Sequence, residues 1–308
     1  MNLVYLGTPQ FAVPTLEAIL DAGHCVLTVV TQPDRPKGRE RNFSSGPVKE
    51  CALRHGLAVY QPERVRHPEA QMHLRDLKPD VMVVVGYGQI IPQTVIDIAP
   101  VGIINVHASL LPKYRGAAPV QWAIARGEKI TGVTTMRIDA GLDTGDILLQ
   151  SETAIGPAET APELSKRLAA MGADLLVRTL ETDPAARPQN SSEATLAPIL
   201  KKEDGRIDWT RSAQDIHNQV RGLLPWPGAH TTFRGKGMQV WKACVREVPK
   251  SRTPGTIWRD GAVLAACGGS SALELLEVQL EGKKRMTAEL FANGQRFADN
   301  ETLGGLRA

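Results

Sequence analysis

The stretch that decides the fold is residues 102–119, which read Gly-Ile-Ile-Asn-Val-His-Ala-Ser-Leu-Leu-Pro-Lys-Tyr-Arg-Gly-Ala-Ala-Pro. Its apolar start, Ile103–Val106, is typical of a buried strand. Asn105 and His107 are two residues apart, so their side chains point to the same side of an extended backbone. The prolines and the glycine that follow predict an irregular loop. Because open α/β sheets bind ligands where their strands end, the stretch indicates a site at the end of this strand.

The chemistry of Asn105 and His107 suits an oxyanion. An amide and an imidazole can both donate hydrogen bonds to one oxygen, and the imidazole can also move a proton near neutral pH. Asp143 is the carboxylate that the chain offers to fix the charge of the imidazole. The alternative is a core histidine beside an asparagine of a turn, and spacing alone does not decide between the two.

The N-terminal part of the chain predicts a strand–helix–strand unit. Leu3–Leu6 and Cys25–Thr31 are apolar, and Phe11–Ala22 between them has helical spacing of its apolar residues. This order predicts parallel pairing with a right-handed crossover. The turn after the first strand, Gly7-Thr8-Pro9-Gln10, lacks the further glycines of a dinucleotide fingerprint. A dehydrogenase with a nicotinamide cofactor is therefore not expected.

Composition places the chain among ordinary globular proteins. It has 308 residues, 42% of them hydrophobic, and a formal net charge of +3. From residue 205 onward 15 Lys and Arg face 10 Asp and Glu, a mildly basic balance that is compatible with nucleic acid. The four cysteines are scattered and do not have the spacing of a metal site, so we expect no bound metal. We expect them to be free thiols in a protein of the reducing cytoplasm. The apolar runs are too short for a membrane span, and the N-terminus has no targeting pattern.

Changes of pattern along the chain predict its domains. Residues 1–182 are expected to form an α/β catalytic domain, with a long amphipathic helix near its end that packs on the sheet. Residues 183–204 are expected to form a linker, because this region begins with a stretch rich in Pro, Asp, Asn and Ser. Residues 205–308 contain a helix and then short strands broken by Pro and Gly, which predicts a small β-barrel.

Several motifs together resemble the folate-dependent formyltransferases. They are Asn105-x-His107, Ser109–Gly116, the distant Asp143, Gly7–Pro9, Thr31–Pro36, Asp139–Asp146 and Arg206–Trp209. The resemblance covers nearly the whole chain. It implies a Rossmann-like, mostly parallel sheet followed by an oligonucleotide-binding (OB-like) barrel, and it implies Asn105, His107 and Asp143 as catalytic residues.

The resemblance also implies the substrates. We expect transfer of a formyl group from 10-formyltetrahydrofolate, a co-substrate, to the amino group of methionyl initiator tRNA, by a cytoplasmic monomer with no metal and no NAD. Two segments are expected to hold the folate, one as a mostly apolar wall and one through the backbone of a glycine-rich loop. Their residues are Ser109, Leu110, Leu111 and Pro112 in the wall, and Gly86, Tyr87 and Gly88 in the loop.

A polar loop and a basic junction are the candidates for tRNA binding. The loop, Gln32–Gly46, is long for a compact domain and has no periodicity, which is typical of a functional loop; in the family such an insertion grips the tRNA acceptor end. After Arg39 the sequence departs from the family by reading Glu40-Arg41-Asn42-Phe43. The candidate residues are Arg35, Lys37, Arg39 and Arg41 in the loop, and Lys201, Lys202 and Arg206 at the junction. The alternative for both sets is a solvated surface.

Two other functions stay open at this point. One is a formyltransferase acting on glycinamide ribonucleotide or on an amino sugar nucleotide, or a formyltetrahydrofolate hydrolase, since these share the Asn-x-His motif and the distant Asp. The other is a non-catalytic nucleic-acid-binding module that carries an inactive α/β domain.

Overall fold

The computed structural model describes residues 1–34, 36–37, 42–43, 45–248, 252–299 and 301–304. The chain divides into two compact units, each assembled from several stretches. Unit 1 comprises Met1–Gly116, Ile130–Ala154 and Ser165–Ala197, and unit 2 comprises Ala117–Lys129, Ile155–Leu164 and Pro198–Ala308. Residues 183–197, which the sequence suggests as linker, lie in unit 1 by this division. The predicted domain limits themselves stay a prediction.

Helices and strands alternate in the first half of the chain, and strands dominate the second half. The helices are α1 (Val13–Asp21), α2 (Pro47–Arg54), α3 (Pro68–Asp76), α4 (Gln93–Ile96), α5 (Pro119–Ala125), α6 (Ala161–Thr182), α7 (Ala213–Gly222) and α8 (Ala288–Gln295). The strands of the first half are β1 (Asn2–Gly7), β2 (Cys25–Val30), β3 (Pro36–Lys37), β4 (Asn42–Phe43), β5 (Val59–Tyr60), β6 (Val81–Val85), β7 (Ile103–His107), β8 (Ile130–Arg137) and β9 (Ile147–Ala154). Those of the second half are β10 (Ala229–Phe233), β11 (Lys236–Glu247), β12 (Thr256–Asp260), β13 (Ala262–Cys267), β14 (Ser271–Leu280), β15 (Met286–Thr287) and β16 (Glu301–Thr302).

Unit 1 is built on a seven-stranded sheet of order β5-β2-β1-β6-β7-β8-β9. The first five strands in this order pair in parallel, and β8 and β9 add antiparallel pairs at one edge. The order reverses between β1 and β6, which is the place where doubly wound sheets bind ligands. The predicted Rossmann-like, mostly parallel sheet is confirmed.

Both faces of the unit 1 sheet are buried, as a parallel sheet requires. Along β1 the side chains alternate, with Leu3 and Tyr5 in one apolar cluster and Val4 and Leu6 in the other. Helix α6 crosses β7 closely, since a Cβ added to Gly172 would lie 2.7 Å from Cγ1 of Val106. A side chain at that position would push α6 away from the strand that carries the candidate site.

Unit 2 contains an antiparallel sheet of order β10-β11-β14-β13-β12-β16. The sheet curls, and its two ends are joined by an antiparallel bridge between Phe233 and Leu303. Inside it, the rings of Phe233 and Phe291 pack edge to face with centroids 5.1 Å apart. Helix α7 contributes Ile216 and Val220 to the same apolar core. This confirms the predicted small C-terminal barrel.

Candidate active site

Three parallel strands end at the same edge of the unit 1 sheet. Gly7 at the end of β1 is in register with Val85 at the end of β6, and Val84 is in register with Asn105 on β7. The loop after β6 and the side chains at the end of β7 are therefore neighbours. The apolar residues of each strand lie inside the sheet. The groups that can bind a ligand therefore lie at the strand ends and in the loops of this edge.

Asn105 and His107 lie on one side of β7, two residues apart. Both are buried, with exposed fractions of 8% and 6%. The Asn105 side chain makes no hydrogen bond to another residue in the described part of the chain, and its amide groups are not sealed from solvent. An amide that is held by packing and has no internal partner is ready to bind a ligand oxygen.

His107 lies between two oxygen acceptors. Its Nε2 is 2.9 Å from the carbonyl oxygen of Tyr114, and its Nδ1 is 3.6 Å from Oδ2 of Asp143. A carbonyl only accepts, so Nε2 carries the proton of that hydrogen bond. Nδ1 is left as the nitrogen available for proton transfer or for donation to a substrate.

Asp143 is held in an unusual backbone conformation. Its φ of +51° lies in the left-handed region, which is costly for a residue with a Cβ. Its Oδ2 accepts a 2.8 Å hydrogen bond from the backbone N–H of Gly116. The structure therefore brings together the three predicted catalytic residues: Asp143 near His107, and His107 beside Asn105.

Some side chains of the segment expected to form the apolar wall for folate are buried in the protein. The Ser109 side chain is fully buried, and its hydroxyl donates a 2.6 Å hydrogen bond to the carbonyl of Lys113. Leu111 packs in a small core with Met136 and Ile147. Leu110 and Pro112 are partly exposed. Within this segment, these last two offer side-chain surface to a ligand.

The glycine-rich loop after β6 presents backbone at the sheet edge. Gly86 and Gly88 are exposed and have φ values of +57° and +82°. The Tyr87 side chain is buried in the core, and this burial raises the pKa of Tyr87 to about 12. The Tyr87 carbonyl accepts 3.1 Å hydrogen bonds from Oγ1 of Thr8 and Nε2 of Gln32. The loop is thus fixed to the ends of β1 and β2.

A cavity of about 340 Å³ opens at the same edge. Its lining includes two arginines, Arg64 and Arg66, together with Gly88, Gln89 and Gln32. Backbone polar groups and cationic side chains at one opening suit a partly anionic ligand.

Two models of known protein families match this chain. The model of the family described as formyl transferase matches residues 1–180, and the model described as formyl transferase, C-terminal domain, matches residues 199–296. The chain belongs to the formyl transferase family. It is therefore a transferase, which decides against the dehydrogenase and against the non-catalytic binding module.

Relatives of this formyltransferase match it over nearly its whole length. The methionyl-tRNA formyltransferase of Solibacter usitatus is 61% identical and that of Koribacter versatilis is 57% identical, each with 99% of both chains covered. Among solved structures, an N-formyltransferase from Helicobacter canadensis in complex with folinic acid and dTDP-3-aminofucose superposes with a TM-score of 0.68. It is 18% identical, over 89% of this chain and 98% of that chain, so it supports the fold alone.

Several residues without a predicted role lie around the candidate site. Arg115 is 7% exposed, and its guanidinium donates from Nε and Nη2 to Oε1 of Gln189 at 3.0 and 2.8 Å. Nε2 of Gln189 donates to the carbonyls of Asp143 and Gly145 at 2.9 and 2.7 Å. Thr195 accepts from the backbone N–H of Tyr114 at 2.9 Å. No sequence signal marks Gln189 or Thr195, because both lie in a polar segment without periodicity.

The residues expected to bind tRNA are only partly described. Arg35, Arg39 and Arg41 lie outside the described residues, and of Lys37 only the backbone is described, in the β3–β4 hairpin. In unit 2 the side chains of the junction candidates are exposed. These candidates are Lys201, Lys202 and Arg206.

One group in the described part of unit 1 has side chains of the types that bind metals. Ligand atoms of Glu17, Cys51 and His55 lie within 4.8 Å of one another. The Cys51 thiol is 3.6 Å from Glu17 Oε1, which it can reach as a donor, and Arg54 pairs with the same oxygen at 3.5 Å. The carboxylate is therefore already shared by a thiol and a guanidinium. Elsewhere, none of the described helices has the length and apolar content needed to cross a membrane.

Proposed function

We propose that this formyltransferase moves a formyl group from 10-formyltetrahydrofolate to the amino group of methionyl initiator tRNA. The observation that carries the proposal is the arrangement at the end of β7, where the Asn105 amide has no partner among the described residues and His107 Nδ1 lies 3.6 Å from Asp143. The names of the relatives at 61% and 57% identity support methionyl-tRNA as the acceptor.

Asn105 acts on the oxyanion. When the amine attacks the formyl carbon, a C–N bond forms and the carbonyl oxygen becomes negatively charged. The Asn105 N–H groups donate to that oxygen, and one such donor is worth roughly 10²–10³ in rate. Its position inside the strand end keeps the amide oriented before the reaction, which is the condition for electrostatic stabilisation to be effective.

His107 acts through Nδ1, because Nε2 is bound to the Tyr114 carbonyl. Two roles fit this nitrogen: donation to the oxyanion, or transfer of the amine proton to the folate nitrogen as the C–N bond to folate breaks. Transfer of this kind contributes typically about 10²–10⁴ in rate. In either role the Asp143 carboxylate stabilises the positive charge that His107 carries after it gains a proton.

The folate is held at the edge formed by the ends of β6 and β7. Exposed backbone of Gly86 and Gly88 binds the polar edge of the pterin, and Leu110 and Pro112 supply the apolar wall. Ser109, Leu111 and Tyr87 support this surface from inside, as their side chains are buried. Folate derivatives in solved structures of the same fold are consistent with such a site.

Basic side chains bind the tRNA phosphates in this proposal. The loop residues are Arg35, Lys37, Arg39 and Arg41, and the junction residues are Lys201, Lys202 and Arg206. The enzyme works as a monomer, since one chain supplies Asn105, His107 and Asp143. It works in the cytoplasm, where aminoacyl-tRNA is used. Light scattering of the purified protein tests the monomer, and imaging of a tagged chain tests the location.

The deciding experiment measures formyl transfer from labelled 10-formyltetrahydrofolate to four acceptors in parallel. These are methionyl initiator tRNA, glycinamide ribonucleotide, an amino sugar nucleotide and water. We expect product only with the tRNA, and its loss in His107→Ala. Faster transfer to a small amine than to the tRNA would overturn the proposed acceptor, and release of formate without transfer would identify a hydrolase.

A further inference from the structure

Gln189 links two parts of the candidate site that are distant in sequence. We propose that Gln189 is a positioning residue, which fixes the Asp143 turn against Arg115 so that the Asp143 carboxylate faces His107. This inference rests on the role proposed above for Asp143. It assigns a function in the reaction to a residue from a polar segment that carries no motif.

The Gln189 side chain uses all of its hydrogen-bonding groups within unit 1. Nε2 donates to the carbonyls of Asp143 and Gly145, and Oε1 accepts two bonds from the guanidinium of Arg115. Carbonyls only accept and a guanidinium only donates, so the amide fits in one orientation. A reversed amide would place its oxygen against two carbonyls and its N–H groups against a cation.

The turn at Asp143 needs such support. Its φ of +51° is costly for a residue with a side chain, and such conformations persist where the surroundings hold them. The Asp143 side chain is tied by the Gly116 N–H, but this bond places no restraint on the Asp143 carbonyl. Gln189 supplies that restraint, because it binds the carbonyl of Asp143 itself and that of the residue two positions later.

The segment around Gln189 is itself anchored, which makes it a suitable frame. Arg187 exchanges two 2.8 Å backbone hydrogen bonds with Ile147 at the start of β9. Arg115 donates its N–H to the carbonyl of Thr195 at 2.9 Å and accepts from the N–H of Ala197 at 2.7 Å. The segment is thus paired with the sheet on one side of Gln189 and with the site loop on the other.

The test is a double-mutant cycle between Gln189 and Asp143, measured as kcat and KM for formyl transfer. Gln189→Met keeps the size and removes every hydrogen bond. We expect kcat to fall by about 10- to 100-fold, since misplacing a catalytic group by about 1 Å costs this much, with KM for folate and tRNA changed much less. In Asp143→Asn, the same substitution adds less than about twofold, because residues that act as a unit are not additive.

Two further variants keep the test decisive. Gln189→Glu retains the contact with Arg115 but loses both donors to the turn. We expect this variant to fold and to have a reduced kcat. It therefore tests the inference even if Gln189→Met does not fold. Asn190→Ala is the matched control, since Asn190 bonds only within its own segment, to Ser192 and Glu193, among the described residues. We expect its kcat to be unchanged.

Each outcome either supports or overturns the inference. A kcat of both Gln189 variants within twofold of the parent, or losses that multiply in the double mutant, would overturn it. Full activity in Asp143→Asn alone would remove the role proposed for Asp143, and with it this inference. The proposed function fails in a different way, if the parent protein does not transfer formyl to methionyl-tRNA. Loss of kcat in Asp143→Asn together with normal kcat in Gln189→Glu would reject the positioning role and leave the proposed function standing.

Discussion

Gly116 and Asp143 are 27 residues apart in sequence, and the Gly116 backbone N–H donates a 2.8 Å hydrogen bond to Oδ2 of Asp143. The same oxygen lies 3.6 Å from His107 Nδ1. One contact therefore fixes both the loop that follows β7 and the carboxylate that faces the histidine.

Replacing the charge at Asp143 should impair turnover. In Asp143→Asn the amide keeps the size of the side chain but no longer stabilises a protonated His107, so we expect kcat to fall on the order of 10²-fold. The measurement is steady-state formylation. Asp139→Asn is the matched control from the same turn, because Asp139 bonds only to Gly141 and Thr144 among the described residues. Equal kcat values for the two variants would contradict the role of Asp143.

Removing the Asn105 amide should lower kcat more than it raises KM. In Asn105→Ala we expect a loss of roughly 10²–10³ in kcat, because the donor acts on charge that develops only in the transition state. Single-turnover kinetics with saturating folate measure this. If instead KM for folate rises and kcat stays normal, Asn105 binds the ground state and is not an oxyanion donor.

Adding a methyl group at Gly116 should destabilise unit 1. Gly116 has a φ of +124°, and a Cβ there would lie 2.6 Å from the carbonyl oxygen of Ala197. We expect Gly116→Ala to lower the free energy of unfolding by more than about 1 kcal/mol. Gly23→Ala is the control, since Gly23 also has a positive φ, +76°, but has nothing within 4 Å of the added Cβ. Urea unfolding of both variants checks the difference, and a smaller loss at Gly116 would contradict the contact.

Acid should weaken the protein partly through His217 in unit 2. Burial, with the charge of Arg221 as a second cause, lowers the pKa of His217 from its ordinary value. The unfolded chain then binds a proton that the folded chain does not as pH falls through about 6.5, so stability decreases below that pH and is retained above it. We expect His217→Gln to lose less stability between pH 7 and pH 5, values chosen to bracket about 6.5. Parallel curves for both proteins would show that His217 is not involved.

The dependence of tRNA affinity on salt concentration should show whether the junction residues contact phosphates. If Lys201 and Lys202 each neutralise a phosphate, replacing one with Ala weakens tRNA binding and reduces the slope of log Kd against log salt by about 1. Fluorescence titration at several salt concentrations measures the slope. Lys283→Ala and Lys284→Ala are controls, because both residues are exposed in unit 2. A slope that stays the same in all four variants would remove the junction from the interface.

The part of the site that follows from local periodicity could be predicted from sequence. Asn105 and His107 are two residues apart in a β-strand, so their common side follows from the backbone alone. The strand itself extends one residue beyond the predicted end at Val106, to His107. The approach of Asp143 depends on how β8 and its turn pack, and only the family resemblance indicated it.

The remaining parts of the site could not be predicted, for identifiable reasons. Gln189 binds backbone carbonyls, which every sequence supplies, so neither composition nor spacing marks its partners. The motif that begins at Ser109 indicates four residues for the folate wall, but it does not show which of their side chains face inward. The structure shows Ser109 and Leu111 buried, because the chain turns back toward β8, where Oγ1 of Thr134 bonds to both Ser109 and Leu111.

The bridge between Phe233 and Leu303 has a consequence for biosynthesis. The ribosome delivers residues in order, so β10 emerges long before the residues that join it to the other end of the sheet. Until Leu303 has left the exit tunnel, the Phe233 end of β10 lacks this partner, and an unpaired stretch of strand edge invites pairing with other nascent chains. Growing chains that stall between these two residues therefore expose a strand end that the finished chain covers.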